Sequence, residues 1–537
     1  MARMIRPIGF AVLLLLAACA GRPLPPVAID PGAASDEAVT AALFDAIADQ
    51  PPLLQTYVRR LPKGADLHNH LSGTIYAESY IGWAAKAGLC FDRERRALVA
   101  PKPPCDSRRG RPPVAGADGA LRAVMIDALS MRNFVPGTTA ASGRDQFFAT
   151  FSRFGAVSDD WGPMLAEAAR RGADNGVLHM ELMISPDRGR SRGLGRAMAA
   201  SWTGDFDAFE QRLAPQLPPL IATARADLDR AETGKRDILG CDTPRPQPGC
   251  AVTVRYIAQV VRLLPPEQVF AQTVTAFALA EADPRIVGLN FVGAEDDGVA
   301  LRDYRLHMRM IAHQRQRHPD VAVALHAGEL VAGMVPPEEL RFHIREAVEV
   351  AGARRIGQGV AIMHEDDPIG LLEEMARREV LVEINLTSND GILGVTGAHH
   401  PLPLYRRFGV PVALSTDDEG VSRSDLTQEY IRAVQEFGLD YEDLKTIARD
   451  SLTHAFLPGA SLWEGDFARS YVEACEEADP ASPPPAACAG FLAGSEKATL
   501  QWRLETAFAA FEEAVHDEVA RHPHLLQRAG VQGVPAP

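Results

Sequence analysis

Between residues 66 and 415 the hydrophobic positions gather into eight short runs, and each run stops at polar or small residues. The runs cover 66–70, 177–183, 252–260, 286–292, 321–326, 355–360, 380–385 and 410–415. Segments of helical length separate them, among them 266–282, 304–317, 338–351 and 368–378. Near-continuous apolar strands alternating with helices predict a parallel sheet covered on both faces. Eight such strands predict a closed (β/α)8 TIM barrel. An open doubly wound sheet is the alternative, but no Gly-rich phosphate loop follows the first strand. Residues 37–60 read as an N-terminal helical extension, with Leu43, Ile47, Leu54 and Val58 at helical spacing. Beyond Asp425 the pattern is again helical and ends in a long segment, 497–521.

Three stretches exceed a minimal barrel: one between the first two strands that includes 101–113, then 187–253, then 478–490. Loops of that length on a barrel are lids or surface decoration.

The first residues have a different pattern. Arg3 and Arg6 precede an apolar run too short to span a bilayer, and the run ends Leu16-Ala17-Ala18-Cys19. That ending resembles the lipobox of bacterial lipoprotein signal peptides. The resemblance implies cleavage after residue 18, lipidation of Cys19, and a Pro/Ala-rich tether over 19–36. Ala20 stands where a retention-directing Asp would sit, which points to an exported protein anchored by lipid in the outer membrane and facing the periplasm. Residues 37–537 then form a single barrel domain.

Cysteine usage agrees with an oxidising compartment. With Cys19 set aside, Cys90/Cys105, Cys241/Cys250 and Cys475/Cys488 fall into three close pairs, and none has C-x₂-C zinc spacing. Local disulfides are expected. The formal charge of −15 becomes more negative when Arg3 and Arg6 are removed, which argues against nucleic acid as a partner.

The candidate chemistry lies where the strands end. His68 and His70 are two residues apart, so a strand projects both from one face. His326 ends the fifth run and Glu329 follows in the loop, while Asp417, Asp418 and Glu419 follow the eighth. Two histidines, a third from another strand and one carboxylate make an N₃O set suited to zinc. A carboxyl beside such a site suits proton transfer. A surface charge run is the bland alternative for the acidic triplet.

Taken in order, PKGADLHNHLSG, LHAGE, RIGQG, LTSND and LSTDDEG resemble the adenosine deaminase family over roughly residues 50 to 460. The N-terminal extension and export signal are closer to its secreted growth-factor-like members. The resemblance implies one Zn²⁺ per chain held by His68, His70, His326 and Asp417. It implies that Glu329 protonates the purine ring nitrogen and that Asp417 accepts a hydrogen bond from the attacking hydroxide. Asp418 and the Gly293 N–H would bind the base. The implied reaction is hydrolytic deamination of adenosine, and of 2′-deoxyadenosine, to the inosine product and ammonia.

The chain departs from the family pattern twice. Ser72 stands where the family has an Asp that touches the ribose 5′ hydroxyl. Gln358 stands where the family has a His that orients and electrostatically supports the hydroxide; an amide donates but carries no charge. Two alternatives follow: deamination of another aminopurine, or a zinc-containing purine-binding or partner-binding lipoprotein with weakened catalysis. A dinuclear site is disfavoured because the fourth strand has no Lys to carbamylate. His179 is expected as a satisfied wall residue, and His399-His400-Pro401 as a turn with an exposed imidazole. His364 lies too far along to replace the missing ring. Phe147, Phe148, Phe151 and Phe154 have helical spacing and read as core, although the family covers its substrate with aromatic residues here.

Overall fold

A computed structural model describes residues 33–464 and 470–527. The signal peptide, Cys19 and nearly all of the tether lie outside the described residues. Eight parallel strands form one sheet: β1 Gly64–His70, β2 Val177–Ile184, β3 Thr253–Val261, β4 Ile286–Val292, β5 Ala322–Ala327, β6 Arg355–Gln358, β7 Leu381–Ile384 and β8 Val412–Leu414. Each strand pairs with its predecessor in sequence, as right-handed βαβ crossovers require. The seam between β8 and β1 is closed just past the last strand. There the Asp417 N–H donates to the His68 carbonyl (2.8 Å) and the His70 N–H to the Asp417 carbonyl (2.9 Å). The barrel is therefore sewn shut by the backbone of three candidate ligands. Beside this seam the Asn69 amide and the Thr416 hydroxyl both donate to Asp66 Oδ2 (3.2 and 2.6 Å), which fixes its register.

The N-terminal extension is two helices, Asp36–Ile47 and Pro51–Arg60, rather than one. Pro51 has no N–H to continue a ladder but suits a first helical turn, so the chain breaks and restarts there. The first of these helices packs on the terminal helix Glu496–Arg521, with the Phe44 ring 5.2 Å from Tyr441 and 6.4 Å from Phe511. Burying a side chain of this kind is worth about 1.5–3 kcal/mol. Lys63 ties the second helix to the barrel floor: its ammonium, fully buried, donates to the carbonyls of Val58 (2.6 Å), Leu61 (3.0 Å) and Asn175 (2.8 Å).

Two of the long insertions are largely helical. Residues 187–253 contain the helix Leu217–Leu239, which packs on Trp161–Asp174. The stretch between β1 and β2 carries the helix Gly143–Phe154 over the barrel mouth. All three expected disulfides are present, Cys90–Cys105, Cys241–Cys250 and Cys475–Cys488. Among the described residues no helix is long and apolar enough to cross a membrane.

Candidate metal centre and base pocket

β1 projects His68 and His70 inward from alternate positions, their rings 5.5 Å apart. The end of β5 brings His326 against them, with its Nε2 3.0 Å from His68 Nε2 and 3.3 Å from His70 Nε2. The turn after β8 supplies Asp417 Oδ1, 3.4 Å from His68 Nε2 and 3.3 Å from His70 Nε2. One ligand atom from each of the four residues lies within 4.8 Å of the others.

The surroundings dictate what this cluster can hold. His68 Nδ1 meets the Glu383 carboxylate (2.6 Å), and His326 Nδ1 meets Asn290 Oδ1 (2.8 Å), which also accepts the His326 backbone N–H. Both Nδ1 atoms must therefore donate, so in the neutral rings each Nε2 lone pair points inward. His70 Nδ1 rests on the Gln259 amide (3.0 Å). Burial opposes charge on His68 while the Asp417 and Glu383 carboxylates draw positive charge to its ring, be it a proton or a cation; burial depresses the pKa values of His70 and His326. The inward Nε2 atoms of His68 and His326, braced through their outer nitrogens, converge with His70 Nε2 and the Asp417 carboxylate in a set that fits a divalent cation.

Next to the cluster lies a pocket of about 420 Å³, within the range of small-molecule sites. Glu329, Asp418, Gly293 and Ser72 all line it, together with His70, His326 and Asp417. His68 and Gln358 are fully buried behind this wall. Burial, followed by repulsion from Asp417, raises the Glu329 carboxyl well above the usual carboxylate range, and its Oε1 has no partner among the described residues. Asp418 is raised for the same two reasons, and its Oδ1 likewise lacks a partner. Asp417 moves the other way: burial would raise it, but the His68 and His70 rings hold it well below the carboxylate range. Neighbouring carboxyls at one site are thereby split into proton carriers and an anion.

Several residues that build this site were not evident from the sequence. Glu295 accepts the N–H groups of Gly328 (3.0 Å) and Glu329 (2.9 Å) and so fixes the turn that presents Glu329. Arg262 donates to the Gly293 carbonyl (2.9 and 2.7 Å) and the His326 carbonyl (3.2 Å), bracing two strand ends together. Arg355 donates to Glu383 and Glu181, both at 2.6 Å, beneath His68. A Glu inside the apolar run 380–384 and an Arg opening the sixth run were signals of such a buried pair. His179, as expected, is a satisfied wall residue between the Thr253 carbonyl (3.1 Å) and Glu181 (3.4 Å).

Two readings are corrected. The phenylalanine stripe is not merely core: Phe147, Phe148 and Phe151 line the pocket, while Phe154 stacks on Tyr80 at 4.6 Å. Of the histidine pair, His399 is exposed as expected but His400 is 3% exposed. Its Nε2 reaches Asn389 Oδ1 at 2.9 Å, because the helix Leu402–Arg407 turns the ring inward and its Leu402 N–H donates to Nδ1 (3.1 Å). His364 is exposed and away from the site.

The family model described as adenosine deaminase matches residues 145–462, more than half of the chain. An adenosine deaminase of Clostridium perfringens is 30% identical over 172 residues, 32% of this chain and 47% of that protein, so the chain spans about half the length of that relative. An adenine deaminase of Sinorhizobium fredii is 26% identical over 287 residues, 53% of this chain and 71% of that protein. Among solved structures, an amidohydrolase from Burkholderia ambifaria with bound zinc shares the fold. Its TM-score is 0.51 at 16% identity, covering 87% of this chain and 94% of that one.

Proposed function

The chain belongs to the adenosine deaminase family, and on that premise we propose that it hydrolytically deaminates adenosine and 2′-deoxyadenosine with one Zn²⁺. His68, His70, His326 and Asp417 would hold the ion, which when bound makes a water nucleophilic near neutral pH. The observation that carries the reading is the placement of Glu329, buried and with Oε1 unpartnered among the described residues, in one pocket wall with His70, His326 and Asp417 of the ligand cluster. Burial raises its carboxyl, while the His68 and His70 rings lower Asp417. Glu329 donates its proton to a purine ring nitrogen and so makes the adjacent amino-bearing carbon electrophilic. Asp418 and the Gly293 N–H orient the base edge-on, and Phe147, Phe148 and Phe151 exclude water above it. The amino group leaves as ammonia after receiving a proton.

Charge at the pocket favours a nucleoside over a nucleotide. Apart from His70 and His326, the one basic side chain among the described pocket-lining residues is Arg144, and Asp296 already accepts from it at 3.1 and 2.9 Å. A phosphate would meet Asp297 and Asp418 with no free cation. Free adenine is the second reading, supported by Ser72, which offers the sugar a hydroxyl but no charge. Loss of substrate absorbance decides between them across adenosine, deoxyadenosine, adenine and AMP, with and without a chelator. The expected result is turnover of both nucleosides, none of AMP, and abolition by the chelator. Preferential turnover of adenine, or none of any aminopurine, would contradict the proposal. We also propose that the exported chain is lipidated at Cys19 and faces the periplasm from the outer membrane. Metabolic labelling with a fatty-acid probe should mark it, and Cys19→Ala should abolish the label.

A further inference from the structure

Gln358 serves as a donor to Asp417 only if its amide nitrogen, rather than its oxygen, faces the carboxylate, and nothing in an isolated amide fixes that choice. Here the choice is fixed from a distance. The Leu402 N–H donates to His400 Nδ1 (3.1 Å). A peptide N–H cannot accept, so Nδ1 is the acceptor and the proton of the neutral ring sits on Nε2. Burial, then Arg432, holds the His400 pKa down at about 4, which keeps the ring neutral. Nε2 therefore donates to Asn389 Oδ1 (2.9 Å), Asn389 Nδ2 to Gln358 Oε1 (2.6 Å), and Gln358 Nε2 to Asp417 Oδ2 (3.2 Å). The Ser388 hydroxyl donates to the same Oδ2 (2.5 Å). Gln358, Ser388 and Asn389 are buried, and both Gln358 (φ 76°) and Asp417 (φ 56°) are held in the left-handed region. Non-glycine residues persist there only when their surroundings over-determine them.

We infer that His400 and Asn389 are positioning residues for the metal centre, which set the polarity of the Gln358 amide and through it lock Asp417 with Oδ1 turned towards His68 and His70. The inference rests on the reading of those histidines, His326 and Asp417 as metal ligands. With the amide reversed, Gln358 Oε1 would face Oδ2, and two oxygens would repel where one hydrogen bond now stands.

Asn389→Asp tests the direction of the chain. The carboxylate keeps the shape and still accepts from His400, but it can only accept, so Gln358 must turn its nitrogen to residue 389 and its oxygen to Asp417. Zinc affinity, measured by competition with a chromophoric chelator, should fall roughly 10–100-fold. A plain Coulomb effect has the opposite sign, because an added carboxylate near a dication tightens binding. In a Gln358→Met background the same substitution should cause no loss, since no amide remains to invert. His400→Phe, which frees the Asn389 amide, should likewise lower zinc affinity with Gln358 present and cause no loss in the Gln358→Met background, and it serves if Asn389→Asp does not fold, as judged by melting of the metal-free proteins. Wild-type affinity in Asn389→Asp, or an equal loss in both backgrounds, would overturn the inference. A wild-type chain that takes up no zinc overturns the ligand reading and this inference with it. One that binds zinc but deaminates nothing counts against the proposed reaction and leaves the affinity comparison standing.

Discussion

The support beneath His68 is ionic: Glu383 accepts from the ring, Arg355 bridges Glu383 to Glu181, and none of the three side chains is more than 1% exposed. The support beside Asp417 is neutral: two amides, a hydroxyl and an uncharged imidazole. Both are buried and both brace a candidate ligand of the same cluster, but they fail differently. An ionic layer is fixed by charge balance, so removing one member strands the others in a low-dielectric interior. A neutral layer is fixed only by the direction of its donors, so it can be reversed without leaving a charge unpaired. The first arrangement secures the fold around the ligand, and the second tunes the ligand's orientation.

Removing a charge from the ionic layer should have the largest effect. Arg355→Met takes from the buried Glu181 and Glu383 the guanidinium that each meets at 2.6 Å, and a loss of about 3–5 kcal/mol is expected in urea unfolding. A loss under about 1 kcal/mol would show that water reaches the network.

Second in size is removal of a ligand. His326→Ala and Asp417→Ala should each lower zinc content and bring the melting temperature down to that of the metal-free wild type, because binding free energy is folding free energy. Full zinc occupancy in both variants would mean the centre lies elsewhere.

Gln358→His sharpens the contrast by adding a titratable group to the neutral side. It should raise kcat by less than about 100-fold, since Gln358 already supplies a donor, with KM nearly unchanged. The rate profile should gain a limb near the imidazole pKa of about 6.5. An inert Gln358→His together with an inert Gln358→Ala would sever position 358 from the chemistry.

The pH dependence of the parent follows from the raised Glu329 carboxyl. A general acid works while protonated, so kcat/KM should persist above the usual carboxylate range and fall as pH rises through that raised pKa. Glu329→Gln should remove both the activity and the limb. The smallest effect is expected at the mouth. Arg144→Met loosens the tie between the helix Gly143–Phe154 and Asp296, which should raise KM a few-fold and leave kcat unchanged, as for about 0.5–1 kcal/mol of partly exposed ion pair.

The two layers also differ in how far the sequence reveals them. The clustering of the candidate ligands was legible because strand periodicity places His68 and His70 on one face, and because a barrel gathers strand ends into one site. The eight strands were legible for the same reason; β6, β7 and β8 proved shorter than their apolar runs, β6 because Gly359 (φ 62°) turns the chain out of the strand. Glu383 and Arg355 left a trace as charges in apolar strands. His400 left none. Its burial depends on Asn389 receiving it from the helix Leu386–Leu393, and a His-Pro pair in a polar stretch has the local pattern of a turn. The Pro51 break in the extension was a local signal overridden by the longer helical periodicity around it.

The central claim is that one cation held by His68, His70, His326 and Asp417 makes this chain a nucleoside deaminase. Stripping the purified protein with a chelator and titrating zinc back while following adenosine absorbance tests it directly. Activity should be absent at the start, rise linearly and level off at one zinc per chain. Turnover that survives stripping, or zinc that binds stoichiometrically without restoring turnover, would contradict it.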